Sequence, residues 1–282
     1  MVNIIAEVGI NHNGSISIAK DLITIAKSAG CDFVKFQKRT PSLIPENQKN
    51  KIKWVPWSTV PVTYLEYKQR MEFNEDEYFI LAEYAAALEI DFFASVWDIP
   101  SAEFMKIFTN IAKIPSAKIT DLDLLECVRE EYDVKLMSTG MSTEEQINRA
   151  MEILEPDVIF HTNSSYPCTA EQIRFGYMQW LKEKYCFDSG LSPFLKPELG
   201  YSNHFYGIIP TIAAVALGAT WVEVHITRDH EMWGSDQKAS VEPHGLFKMV
   251  KAIRELEEAM KQGYGPREIW PEEQDKLKSL RG

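Results

Sequence analysis

The sequence predicts a single-domain α/β (β/α)8 TIM barrel, a closed ring of parallel strands with a helix after each one. Three observations predict it. Short β-rich apolar runs alternate with longer amphipathic stretches from one end to the other, eight of each. Such a series occupies about 250 residues in a typical barrel, and the chain has 282. The turn after the first run, Gly9-Ile10-Asn11-His12-Asn13-Gly14, lacks the GxGxxG spacing that an open doubly wound sheet usually carries there.

The strands are expected at residues 3–8, 32–37, 91–95, 112–116, 135–139, 158–162, 199–202 and 221–226, all brief and β-rich. The helices are expected at 17–29, 75–88, 101–108, 121–132, 143–154, 170–184, 207–217 and 243–261. Ser17, Ser142 and Thr143 offer side-chain oxygens as N-caps, and Gly30 and Gly218 stand where a left-handed residue stops a helix. Two segments break the rhythm. Residues 38–73, with Pro41, Pro45, Pro56, Pro61, Trp54, Trp57, Tyr64 and Tyr67, are too many for a βα turn and read as a lid or as an interface excursion. Residues 186–197, containing Pro and Gly, read as a loop before the seventh strand. The barrel is expected to span 1–262, with 263–282 a surface extension in which Gly263, Gly265, Pro266 and Pro271 interrupt any helix.

Hydrophobic residues make up 45% of the chain, ample for one large core. The net charge of −11, from 41 acidic against 30 basic residues, argues against nucleic acid or an anionic membrane as the main partner. An anionic substrate would then need a locally basic pocket. Cys31, Cys127, Cys168 and Cys186 are scattered without CxxC spacing, which suits a reducing compartment. The first apolar run ends at Glu7, unlike a signal peptide, and no apolar stretch has bilayer length, so the expected location is the cytoplasm.

In a parallel barrel the polar residues at strand C-terminal ends face the active-site mouth. That rule selects Glu7, Lys35, Gln37, Ser95, Asp98, Lys113, Ser116, Asn163, Tyr166, Ser202, Asn203, His204, Glu223 and His225. So many polar groups inside a core are costly unless they bind something. Lys35 and Lys113, each flanked by apolar residues, suit a divided phosphate and carboxylate clamp, or else are lysines snorkelling at the barrel end. His204 and His225 close consecutive strands and could converge on one divalent ion with an acid such as Glu7 or Glu223; satisfied core histidines are the alternative. His12 and His161 lie in a turn and near a strand end. Residues 234–238 follow the eighth strand, where barrels often bind phosphate.

Several motifs, in order and approximate spacing, resemble the sialic acid (nonulosonic acid) synthase family: Ile5-Ala6-Glu7-Val8-Gly9-Ile10-Asn11-His12-Asn13-Gly14, Val34-Lys35-Phe36-Gln37, Lys113-Ile114-Pro115-Ser116, Ser138-Thr139-Gly140-Met141-Ser142, Tyr166-Pro167, Gly200-Tyr201-Ser202-Asn203-His204 and Glu223-Val224-His225-Ile226-Thr227. The resemblance runs from Ile5 to about Lys261. It implies condensation of phosphoenolpyruvate with N-acetylmannosamine or a related amino-sugar aldehyde, release of phosphate, and a product destined for surface glycans. It also implies a divalent metal, manganese with magnesium or cobalt as alternatives, and a homodimer.

Carried over residue by residue, the resemblance puts Lys35 and Lys113 on phosphoenolpyruvate, with Ser116 and Ser202 as hydroxyl donors and His204 and His225 on the metal. Glu7, Glu223 and Asp236 match acidic positions at the sugar or reacting centre. Gln37, Ser95, Tyr166 and either Asn163 or Ser164 join the substrate site, the last pair being rivals because the segment Thr162-Asn163-Ser164-Ser165-Tyr166 is one residue longer than the usual pattern. Ser116-Ala117-Lys118 puts a cation where the family more often has an acid. The chain reaches Gly282 without the antifreeze-like domain of full-length members, so recognition of the N-acyl group is expected to differ. The same chemistry on another or a phosphorylated sugar is the alternative, the latter needing a second cationic cluster for which Lys38, Arg39 and Lys118 are available; a catalytically silent scaffold is the third reading.

Overall fold

In the computed structural model, which describes residues 1–187, 196–261 and 268–281, eight parallel strands close into a barrel. They are β1 (Asn3–Gly9), β2 (Phe33–Lys38), β3 (Asp91–Val96), β4 (Ile111–Ile114), β5 (Val134–Ser138), β6 (Val158–Thr162), β7 (Glu198–Asn203) and β8 (Trp221–His225). Each pairs with its sequence neighbours, and β1 closes the ring on β8. The helices α1 (Ile16–Ala29), α2 (Glu75–Ala87), α3 (Ile99–Met105), α4 (Leu122–Glu131), α5 (Glu144–Leu154), α6 (Phe175–Leu181), α7 (Ile209–Ala216) and α8 (Pro243–Met260) cover it. In α1 the buried residues are Ala19, Leu22, Ile23, Ala26 and Ala29, the three-and-four spacing of one apolar face. No described helix is long and apolar enough to cross a membrane.

Local chemistry moves several expected boundaries. Ser15, not Ser17, caps α1, accepting from Ile18 N–H, because Ile16 is already helical. Thr143 caps α5 reciprocally with Gln146, while Ser142 instead donates to the Gly140 carbonyl. β4 ends at Ile114, before Pro115, which has no N–H for the ladder; Ser116 opens a 3-10 turn. The helix expected at 170–184 is broken at Arg174 (φ 51°) and widens into a turn of π geometry over Lys182–Phe187. Of the loop expected at 186–197, residues 188–195 lie outside the described residues, as do Gly263, Gly265 and Pro266. Pro271 does not interrupt a helix but opens the exposed helix Pro271–Arg281, since a first-turn position needs no N–H.

The 38–73 excursion is structured. A short hairpin pairs Ile52 with Thr63, and the helix Tyr64–Met71 starts with a reciprocal cap between Thr63 and Glu66. Val55, Tyr67 and Met71 are buried with Ile10, Trp57 and Trp233, so the excursion packs against the loops following β1 and β8. Trp57 stands edge-on to Trp233 at 4.9 Å. Asp98 fixes its root: the carboxylate accepts from Thr40 N–H at 2.8 Å and also caps α3 through Ser101 N–H. Asp98 therefore serves the scaffold and does not reach the mouth as expected.

Candidate active site

Strand alternation divides the barrel interior into two layers. The lower layer is an apolar plug of Ile5, Phe33, Phe93, Leu136, Val158, Phe160 and Trp221. Two residues further along each strand the side chains become polar: Glu7, Lys35, Ser95, Ser138, Thr162 and Glu223. Register aligns them, since Glu7 pairs with both Lys35 and His225, Ser95 with Gln37 and Lys113, and Ser202 with Thr162 and Glu223. Gly9 ends β1 at a bulge with φ 53°, and a Cβ there would lie 3.1 Å from Glu7 Oε1 and 3.4 Å from the His225 ring. Glycine is what lets the chain turn away without displacing either side chain.

The upper layer lines a cavity of about 150 Å³. On its floor Lys35 Nζ lies 2.7 Å from Glu7 and 3.4 Å from Glu223, and Lys113 Nζ lies 2.8 Å from Glu223. Lys35 also donates to Ser95 Oγ at 2.7 Å, Ser202 Oγ to Glu223 at 2.9 Å, and Gln37 Nε2 to Glu7 at 2.9 Å. Burial opposes the charge on Lys35, but Glu223 and Glu7 outweigh it and raise its pKa. For Lys113 burial wins and lowers it to about 8. Burial also opposes ionisation of Glu223, yet the two lysines hold its carboxyl well below the usual range. Two buried cations with adjacent hydroxyls are equipped to bind and stabilise a phosphate anion.

His204 and His225 stand beside this floor with ring centroids 5.5 Å apart. Burial, then the neighbouring His225, lowers the His204 pKa to about 3, so its imidazole is neutral. His204 Nδ1 bonds the Asn163 carbonyl, which fixes the tautomer and leaves Nε2 as acceptor, the form that ligates a metal. Nε2 is met by the Tyr166 hydroxyl at 2.8 Å. His225 Nδ1 is buried without a hydrogen-bond partner, 4.0 Å from Asp236. Two facing imidazoles, one of them with an orphaned nitrogen, fit a divalent ion. The expected third acid does not join it: Glu7 and Glu223 are bound to lysines, and among the described residues no cluster of three His, Cys, Asp or Glu donors forms.

The cavity brings together Glu7, Lys35, Gln37, Ser95, Lys113, Ser116, Ser164, Tyr166, Ser202, His204, Glu223 and His225. Ser164 lines it, whereas Asn163 turns its side chain back to Ser165 N–H, which separates the two rivals. Asp236 is not among the lining residues, its carboxylate standing 4.0 Å from His225 Nδ1. Asn203 turns to the Phe205 and Gly207 carbonyls, and His12 and His161 are structural, His12 accepting from Gly14 N–H and packing on Phe73. In the 234–238 segment the Gln237 side chain is spent on the Asn11 carbonyl and the Thr227 hydroxyl, and Asn13 holds the neighbouring Trp233 carbonyl. Lys118 is paired with Asp121.

Sequence reasoning missed Trp97, Ala117, Ser138, Met141 and Thr162 in the lining. Ser138 and Thr162 end strands, so the rule that selected Ser95 would have found them. Gly140 was also missed: its N–H donates to Ser116 Oγ at 3.1 Å, and a Cβ there would meet Ser164 Oγ at 2.4 Å.

The barrel and its motifs have counterparts. The model of the NeuB family matches residues 22–265. The N,N'-diacetyllegionaminic acid synthase of Campylobacter jejuni is 33% identical over 269 residues, covering 92% of this chain and 78% of that protein. The human N-acetylneuraminate-9-phosphate synthase is 32% identical over 264 residues, 91% of this chain and 70% of its own length. The N-acetylneuraminic acid (sialic acid) synthetase of Leptospira borgpetersenii superposes with a TM-score of 0.82 at 29% identity, over 99% of this chain and 92% of that one. With most of the sequence inside the family's model and identity sustained across the whole barrel, the chain belongs to the NeuB family, that of the nonulosonic acid synthases.

Proposed function

We propose that the protein condenses phosphoenolpyruvate with N-acetylmannosamine or a related amino-sugar aldehyde, giving a nonulosonic acid and phosphate. The observation that carries this reading is the juxtaposition, in one small cavity, of a two-lysine floor and a facing pair of imidazoles. Lys35 and Lys113 bind the phosphate and carboxylate, with Ser95, Ser116, Ser164 and Ser202 placed to donate hydrogen bonds. The enol carbon forms a bond to the aldehyde carbon, water adds at the carbon bearing phosphate, and the C–O bond to phosphate then breaks. The lysines stabilise the departing anion. Glu7, held by Lys35 and Gln37, orients the sugar or relays the aldehyde oxygen's proton, and Asp236, near His225, meets the sugar hydroxyls.

His204 and His225 would hold a divalent ion, with manganese the expected one and magnesium or cobalt as alternatives; such an ion supplies Lewis acidity toward the aldehyde oxygen. The same reading includes a homodimer, for which the outward face of the excursion offers exposed Ile52, Trp54 and Val60, and a cytoplasmic site of action, which suits four free cysteines. Sedimentation velocity and cell fractionation test those two points.

The deciding experiment is phosphate release from phosphoenolpyruvate with manganese across N-acetylmannosamine, mannose, their 6-phosphates and diacetamido-hexoses, beside His204→Ala. Metal-dependent turnover of one sugar, abolished by the substitution, is the expected result. Silence throughout, with no binding of phosphoenolpyruvate, would return the protein to the scaffold reading.

A further inference from the structure

Two of the cations around the mouth, Lys38 and Lys118, are matched by carboxylates. Lys38 lies 3.5 Å from Glu72 and donates to the Phe73 carbonyl at 2.8 Å, so it is not free to bind a ligand. Lys118 is held by Asp121 at 2.9 Å. Arg39 and Lys68 differ. The Arg39 guanidinium carbon lies 3.3 Å from the ring centroid of Trp97, itself a wall of the cavity. Its Nη2 donates to Gln37 Oε1 at 3.2 Å, while its Nε is buried without a hydrogen-bond partner. Lys68 is only 5% exposed, and its ammonium lies 5.2 Å and 5.5 Å from the Tyr67 and Tyr64 rings. Among the described residues neither side chain forms an ion pair.

These two cations feel each other and the site. Burial first, then Arg39, lowers the Lys68 pKa to about 7, and Glu72, then Asp236 on the β8 side, act on both cations as opposing charges. Through Gln37 the guanidinium connects to Glu7 and so to Lys35 on the cavity floor. Lys68 is buried and Arg39 half-buried with no ion pair of their own among the described residues, so Glu72 and Asp236 compensate them only at a distance, and an anion that bridges the two cations relieves the remaining cost. A planar guanidinium with a spare N–H beside an ammonium matches the oxygens of phosphate or carboxylate.

We propose that Arg39 and Lys68 form an anion subsite at the cavity mouth, which binds a phosphate or carboxylate carried by the aldehyde substrate at the end away from its reacting carbon. This deepens the synthase reading and rests on it for the direction in which the sugar lies. Lys35 and Lys113 then serve phosphoenolpyruvate, and Arg39 and Lys68 decide which aldehyde follows it.

The test is isothermal titration calorimetry of the full chain saturated with phosphoenolpyruvate. The probes are alditols, which lack the reacting carbonyl: N-acetylmannosaminitol, its 6-phosphate and the corresponding 6-carboxylate, with inorganic phosphate alongside. One anionic alditol is expected to bind on the order of ten- to a hundredfold more tightly than the neutral one. Arg39→Ala and Lys68→Met should each cut that preference at least about tenfold, and Arg39→Lys, which keeps the charge and guards against misfolding, should retain part of it. Which anionic alditol wins decides between phosphate and carboxylate. The proposal is overturned if the wild type binds charged and neutral alditols alike, if inorganic phosphate binds as well as the sugar phosphate, or if the variants weaken neutral and anionic alditols equally. Should phosphate release fail with every sugar while the calorimetric preference persists, the synthase reading falls and the subsite stands.

Discussion

Lys113 on β4 and Glu223 on β8, 110 residues apart and on strands that are not neighbours in the ring, are joined across the barrel by a 2.8 Å ion pair. Glu223 also lies 3.4 Å from Lys35, so one carboxylate steadies both lysines until a substrate anion arrives. Removing it leaves two buried cations with Glu7 as the remaining carboxylate. Glu223→Gln should therefore destabilise the fold by about 3–5 kcal/mol, read from the urea midpoint. The deficit should shrink in alkaline buffer, where Lys113 loses its charge; a deficit independent of pH would contradict the electrostatic origin.

The lowered pKa of Lys113 has opposite consequences for stability and for binding. Between about 8 in the folded chain and 10.5 in the unfolded one, the folded state binds fewer protons, so this group makes stability rise with pH across that window. Binding of phosphoenolpyruvate should go the other way. Its dissociation constant is expected to increase as pH passes about 8, by up to about tenfold per pH unit for one lost proton. Calorimetric titration between about pH 7 and about pH 10 measures this. An unchanged constant over that range would remove Lys113 from the anion site.

The Tyr166 hydroxyl occupies the lone pair of His204 that a metal would take. Tyr166→Phe should tighten manganese binding by about two- to tenfold, the worth of one neutral hydrogen bond. His225→Ala should weaken it by on the order of tenfold or more, since even partners of ligands cost that much. Electron paramagnetic resonance of free manganese reads both without any turnover. Equal affinity in all three proteins would place the metal elsewhere.

Two glycines separate packing from binding. At Gly200 a Cβ would sit 2.6 Å from the fully buried Phe160 ring, and Gly200→Ala should destabilise by about 1–3 kcal/mol. At Gly140 the obstacles are the hydroxyls of Ser164 and Ser116 on the cavity wall. Gly140→Ala should raise the KM for phosphoenolpyruvate by about tenfold or more, the loss of one charge-assisted hydrogen bond, with a smaller change in melting temperature than Gly200→Ala. Thermal melts beside steady-state kinetics distinguish the two, and a reversed ranking would refute the assignment.

What the sequence determined by itself is whatever depends on local repetition. Short β-rich apolar runs marked the strands, the amphipathic stretches between them marked the helices, and the strand-end rule pointed to Lys35, Lys113, Glu223 and His225 because a barrel converts a strand's end into the edge of a pocket. Boundaries slipped by a residue or two where one side chain decides, as at Ser15 and Pro115. Tertiary structure alone decided what long-range contact decides. That Ser164 and not Asn163 enters the cavity, that Glu7 and Glu223 serve lysines and not imidazoles, and that Asp98 anchors the excursion all depend on which strands become neighbours. Arg39 and Lys68 show this most plainly. Nothing local distinguishes them from the paired Lys38 and Lys118, and only the packing of the excursion onto the mouth leaves Lys68 buried and Arg39 half-buried with no ion pair among the described residues.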